Sequence, residues 1–322
     1  MIPVSWKRIA WLTALVSLGA AGAIRLTTPS GLMPGELTYV PPDELALAQA
    51  RAAEEARYPA GFHAREAAVK AELAALTQRH PWAGRYYLGD GLGVNVLISL
   101  APQSGAVATW HGCLGLYAAG YAPILPTDHG TLALKFAPAK EGPGLEFPHE
   151  VRPVRWGDRH YLIATDKLAE FANAINSGLE PRGSSSPGFF LLREGDQEKP
   201  VVGLPDLPAE YLAWIRTEPT EFRVDKVQTI REEGGKESCD RDVTLRFPRQ
   251  ADDLLKPGME LQLTRPDVYG HATVTRVAET SFEAEFDGYS TSPCKDHQDL
   301  PRAGWRFTTG AYAAATPAKS NP

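Results

Sequence analysis

From Trp82 onward apolar residues recur at every second position in short runs, and most runs stop at a glycine or a proline. Alternation of that kind puts side chains on opposite faces, the signature of a strand with one buried face. With 29 Gly and 27 Pro among 322 residues, the chain is punctuated too densely for long helices and suits many short strands joined by turns. The segments 86–88, 94–100, 107–116 and 131–136 read as strands. Gly89-Asp90-Gly91, Pro102-Gln103-Ser104-Gly105 and a loop holding Pro123, Pro126 and Gly130 separate them, which predicts an antiparallel meander.

Beyond the meander, strand 161–164 leads into a helix capped by Thr165 or Asp166. Leu168, Phe171, Ala172 and Ile175 form its buried face, and Gly178 supplies a left-handed stop. A loop at 181–188, a strand at 189–192 and a short helix begun at Pro208 follow. After Pro219 the alternation returns over 222–230, 243–247, 259–264, 272–277, 282–286 and 305–308. Five or six short strands in that space fit a small closed barrel of the SH3-like or OB-like kind. Two helices precede all of this. One, capped by Asp43, extends to Arg57, and the other covers 62–79 with Phe62, Val69, Leu73 and Leu76 as its apolar stripe.

The expected fold is therefore α+β: N-terminal helices, an antiparallel β-meander and a C-terminal small β-barrel. The expected organisation is a leader at 1–23, a linker at 24–42, helices plus meander at 43–218, the barrel at 219–310 and a disordered tail at 311–322.

The leader rests on its own pattern. Lys7 and Arg8 precede an apolar run from Ile9 to Leu18, and Ala21-Gly22-Ala23 closes a small-residue patch. Basic, apolar and Ala-x-Ala parts in that order make a secretory signal peptide, which directs the body of the chain to the periplasm or the medium. The alternative is an uncleaved membrane anchor with the body outside. The sixteen uncharged residues from Ile9 to Ile24 fall short of the roughly 20 that span a bilayer. A lipoprotein is disfavoured because the first cysteine is Cys113.

Loss of Lys7 and Arg8 with the leader takes the net charge from −6 to −8, which argues against nucleic acid or an anionic lipid surface as the main partner. An oxidising compartment favours pairing of Cys239 with Cys294, leaving Cys113 as a thiol. The chain carries none of the Gly-x-Ser-x-Gly, His-Glu-x-x-His or Walker motifs, and nothing in it calls for a cofactor.

Three sets of residues carry the candidate chemistry. Gly89-Asp90-Gly91-Leu92-Gly93 has phosphate-loop spacing, but the β-branched Val94-Asn95-Val96 that follows predicts a hairpin instead. His111 and Cys113, two apart on a predicted strand, share a face there and make a metal pair or a thiol with its base, with His129, Asp128 or Asp90 to complete it. A small buried Cys beside Gly112 and Gly115 is the competing reading. Trp82, Tyr86, Tyr87, Trp110, Tyr117 and Tyr121 crowd the meander, and Tyr86, Tyr87, Trp110 and Tyr117 are the ligand-binding candidates if they line one concave face. Core filling is their alternative use.

Trp82-Ala-Gly-Arg-Tyr-Tyr, Gly89-Asp-Gly-Leu-Gly-Val-Asn, Trp110-His-Gly-Cys-Leu-Gly-Leu-Tyr and Asn173-Ala-Ile-Asn-Ser-Gly together resemble a group of exported bacterial proteins described only as hypothetical, over about residues 80–300. That resemblance implies export and no activity. Gly84-Arg85-Tyr86 and the meander are also similar to the opening strand of lipocalin-type barrels, an analogy of fold alone. The function expected is that of an exported, non-enzymatic envelope or secreted protein binding a small ligand or a protein partner. The rival is a Cys/His hydrolase or metal-dependent enzyme centred on Cys113 and His111.

Overall fold

A computed structural model describes residues 44–77, 80–89, 95–113, 115–136, 146–178, 190–234, 239–250, 254–264, 270–290 and 300–312. The leader, the linker, Asp43, Asp90, Cys294 and most of the C-terminal tail lie outside them. The described part is mostly antiparallel sheet with a few helices, an α+β protein. It divides into two compact units: residues up to Leu125 with Ala133–His149, and Pro126–Leu132 with residues from Glu150 onward.

The first unit begins with helices α1 (Glu44–Glu55) and α2 (Phe62–Ala75). Strands β1 (Gly84–Leu88), β2 (Asn95–Ala101), β3 (Gly105–Gly112) and β4 (Gly115–Ala122) then form the expected meander, each pairing antiparallel with the next. The described residues resume at Asn95 in strand β2, where a phosphate loop would lead into a helix. Segment 107–116 is not one strand. It folds back at Cys113, because glycines at 112 and 115 let two strands meet across a two-residue turn.

Helix α2 lies on one face of this sheet, where Phe62 and Val69 pack against Ala101 and Val107. Its Glu72 accepts the amides of Gln103 (2.9 Å) and Ser104 (2.7 Å), which ties the helix to the β2–β3 turn. Slight burial would raise that carboxyl; the Ser104 hydroxyl and the two amides outweigh it and hold it below its usual value. On the opposite face Tyr86, Val96, Ile98, Leu100, Ala106 and Trp110 are buried. Strands β5 (Ile124–Pro126) and β6 (Leu132–Leu134) lie where the chain passes between the units.

From Glu150 the second unit continues with β7 (Glu150–Trp156) and β8 (Arg159–Ala164), an antiparallel pair that extends to β9 (Phe190–Arg193). A 3-10 turn at Thr165–Lys167 feeds helix α3 (Leu168–Asn176), so neither Thr165 nor Asp166 caps it by a side-chain hydrogen bond. Leu168, Phe171, Ala172 and Ile175 are buried as expected, and Gly178 ends the helix at φ 65°. A short helix α4 (Ala209–Leu212) follows.

Strands β10 (Glu221–Arg223), β11 (Lys226–Gly234), β12 (Cys239–Pro248), β13 (Glu260–Leu263), β14 (His271–Val277), β15 (Ser281–Ser290) and β16 (Arg306–Thr308) complete the chain. They make a barrel-like sheet in the order β10-β16-β13-β14-β15-β12-β11. The expected strand 222–230 is two strands, interrupted where Val224 donates to the Trp305 carbonyl (2.8 Å) and Asp225 to that of Arg246 (2.9 Å). One apolar core runs through the unit, from Val154, Tyr161 and Phe171 to Val243, Phe282 and Phe307. Pro219 therefore falls inside the second unit, with core residues on both sides of it.

Two buried amides pin α3 within that core. Asn173 donates to the Gly258 carbonyl (2.9 Å) and accepts from the Glu260 amide (3.2 Å). Asn176 donates to the Trp214 carbonyl and accepts from the Arg216 amide, both at 2.8 Å. Gly310, at φ 69°, lies so close that a Cβ there would stand 2.4 Å from the Asn176 carbonyl oxygen. The Asn-Ala-Ile-Asn-Ser-Gly sequence is thus a packing device: two polar pegs one turn apart and a left-handed stop.

A second polar tie holds the segment after β9. Asp196 is 1% exposed and accepts from the His160 amide (2.9 Å) and from the His160 ring (2.8 Å), and the Lys199 ammonium donates to its other oxygen. Burial alone would raise the Asp196 carboxyl, but the Lys199 ammonium and the His160 ring and amide outweigh it and hold it below the usual carboxylate range. A depressed folded pKa means stability that is present above the ordinary carboxylate value, about 3.9, and is lost as pH falls through the folded one. Asp196→Ala is expected to cost about 2 kcal/mol at neutral pH and to flatten the acid limb of the stability profile. Urea titrations of both proteins between neutral and acid pH check this; a variant with an unchanged acid limb would refute it.

Candidate functional site

The cross-strand register sorts the meander side chains between the two faces of the sheet. Tyr87 stands opposite Leu97, Leu97 opposite Thr109, and Asn95 opposite His111. Opposed and alternate residues share a face, so Tyr87, Asn95, Leu97, Thr109 and His111 lie on the face that α2 covers further along, at Ala101 and Val107. Beyond the reach of that packing, Tyr87, Asn95, Leu97 and His111 are only half-buried. They form a shallow patch with an aliphatic floor and polar groups around it.

The Tyr87 hydroxyl donates to Asn95 Oδ1 at 2.7 Å, between strand neighbours eight residues apart in sequence. That bond fixes both side chains across the β1–β2 pair, and the phenol oxygen retains lone pairs with which to accept a hydrogen bond. His111, directly across β2–β3 from Asn95, adds a ring that donates or accepts according to its tautomer. Arg57, just past α1, donates from Nη1 to the Leu116 carbonyl (2.7 Å) on the strand next to His111, so the helical segment is tied to the same end of the sheet. A phenol, a carboxamide and an imidazole around a Leu floor suit a neutral ligand with hydroxyl or amide groups and one apolar face.

The other candidates fall elsewhere. Tyr86 is fully buried, its hydroxyl donating to the Trp82 carbonyl (2.9 Å), and Trp110 is 2% exposed, so both are core residues and not ligand-facing rings. Tyr117 is half-buried. The register shifts between Trp110 and His111, and beyond that irregularity the Tyr117 ring lies over Gly112, where a Cβ would come 2.3 Å from Cε2. Of the four aromatic candidates, Tyr86 and Trp110 are taken up by the core and Tyr87 stays at the patch.

Cys113 is exposed in the β3–β4 turn, off the strand that carries His111, so strand alternation does not place the two side chains on one face. Asp128 and His129 sit in the exposed turn between β5 and β6, where Arg152 donates to the His129 carbonyl (2.8 Å). They belong to the second unit and His111 and Cys113 to the first. Among the described residues no cluster of three or more His, Cys, Asp or Glu side chains has metal-binding geometry. Cys239 begins β12, opposite Ser290 of β15. Sequence reasoning missed Asn95, although its position two residues before Leu97 on an alternating strand was the signal for it.

No helix among the described residues is long and apolar enough to cross a membrane. No family model, curated protein or solved structure matches the chain.

Proposed function

We propose that the chain is an exported binding protein whose recognition surface is the Tyr87–Asn95–His111 patch, and that its ligand is small, neutral and hydroxyl-bearing, with a sugar ring the best chemical fit. The observation that carries this reading is the Tyr87–Asn95 hydrogen bond beside His111 on the sheet face that α2 leaves half open. The basic-apolar-small leader, the net charge and the likeness to exported proteins of unassigned activity support the same reading. The barrel-like sheet of the second unit, of the SH3-like or OB-like kind in this proposal, serves as a framework with no catalytic part.

Saturation-transfer NMR with a panel of neutral monosaccharides and N-acetylated sugars tests the proposal. At least one panel member is expected to bind, and Tyr87→Ala or Asn95→Ala to weaken it about tenfold or more while the thermal transition holds. Cys113→Ser should leave both binding and fold intact. If no sugar binds, or if patch variants bind as well as the parent, the proposal fails. Sugar turnover abolished by Cys113→Ser would instead establish the thiol-enzyme reading.

A further inference from the structure

The seven-stranded sheet ends on β11, and there an apolar row on its core side runs out into solvent. Ile230 of β11 stands opposite Val243 of β12, Val243 opposite Phe286 of β15, and Phe286 opposite Ala272 of β14. Directly opposed residues share a face, so the four form a single cross-strand row. Ala272, Phe286 and Val243 are buried, whereas Ile230 is 43% exposed. Lys226, Gln228, Thr229 and Arg231 along the same strand are exposed as well. An edge strand turns one row of backbone amides and carbonyls away from its neighbour, a template for a further strand. A core-side isoleucine at such an edge is what that further strand would cover.

We propose that β11 is a strand-addition edge and that its occupant is a second copy of this chain, paired antiparallel about a two-fold axis at Ile230. Such pairing sets a strand against itself, so the residue on the axis meets its own copy. With Ile230 there, both exposed side chains fall together on one continuous core face. In sequence the strand opens on Lys226 and closes on Glu232-Glu233-Gly234. An antiparallel copy brings the basic end against the acidic end, where a parallel copy sets like against like. About an axis at Ile230, Thr229 pairs with Arg231 of the copy, and the register irregularity between Val227 and Thr229 lies outside that central pairing.

Sedimentation of the full chain from about 1 µM to about 500 µM is the test, since mass action populates a weak dimer over that range. A concentration-dependent dimer is expected, and Ile230→Lys is expected to raise its dissociation midpoint about tenfold or more. Because Ile230 is exposed in the single copy, the variant's thermal transition should match the parent's. Hydrogen exchange gives a second reading: β11 amides should slow as the parent is concentrated and stay fast in the variant. A chain that is monomeric throughout overturns the proposal. So does a dimer that Ile230→Lys leaves unchanged, or protection that appears on another element.

Discussion

Truncating Phe282 to alanine is expected to cost about 4 kcal/mol of stability, the largest loss we anticipate from any single core change. Phe282 is 1% exposed. Its ring stacks on Phe247 at 4.7 Å between centroids with planes 4° apart, and meets Phe222 edge-on at 5.0 Å and 83°. Phe247 in turn meets Phe307 edge-on at 5.6 Å. One ring of β15 thus bridges β10 and β12, and its removal strands partners from both of those strands. Those neighbours are held by backbone ladders, so they collapse only partly into the space, and the cavity adds to the lost transfer energy. Phe282→Leu, which keeps most of the volume, should cost about 1.5 kcal/mol. Urea unfolding of the second unit measures both; a Phe282→Ala loss below that expected for Leu would show the aromatic cluster to be loosely packed.

The second large effect is covalent. Under the export proposed above, we expect Cys239 and Cys294 to be joined, with Cys113 remaining a thiol. Cys239 stands opposite Ser290 at the end of the β12–β15 ladder, and Cys294 follows Ser290 by four residues in sequence. Closing the loop of 54 residues between Cys239 and Cys294 removes chain entropy worth about 4 kcal/mol in the chain-entropy model. A non-reducing peptide map identifies the pair, and melting with and without a reductant measures its effect. A map that joins Cys113 to either other cysteine, or that finds three thiols, would refute the assignment.

Much of the architecture is written in the sequence, in proportion to how simple each signal is. The strands after Pro219 are legible because alternation there puts Val243, Leu245 and Phe247, or Phe282, Ala284 and Phe286, on the core side without interruption. Helix α3 is legible from its apolar stripe and from Gly178. Strand β7 is not, because Pro153 sits mid-strand between Arg152 and Arg155 and lacks an amide for the ladder. Nor is the β3–β4 turn, since 107–116 carries none of the Asn-Gly or Asp-Gly pairs that mark a hairpin. That turn decides the site, for it takes Cys113 off the strand that carries His111. The aromatic set was legible as a set but not as two faces. The split runs between Tyr86 and Trp110, which are buried in the core, and Tyr87, which stays half-buried on the other face.

The order of strands in the second unit bears on how a newly made chain acquires it. The strand closest to the C-terminus, β16, lies between β10 and β13, and pairs Thr308 with Glu221 and with Gln262. Until Arg306–Thr308 have been synthesised, β10 and β13 each lack that neighbour, and the sheet stays incomplete. Pairings between segments so far apart in sequence also form slowly, because loop closure comes before any reward from contact. For the export proposed above, that delay would suit passage through a secretion channel, which takes a chain that is still extended.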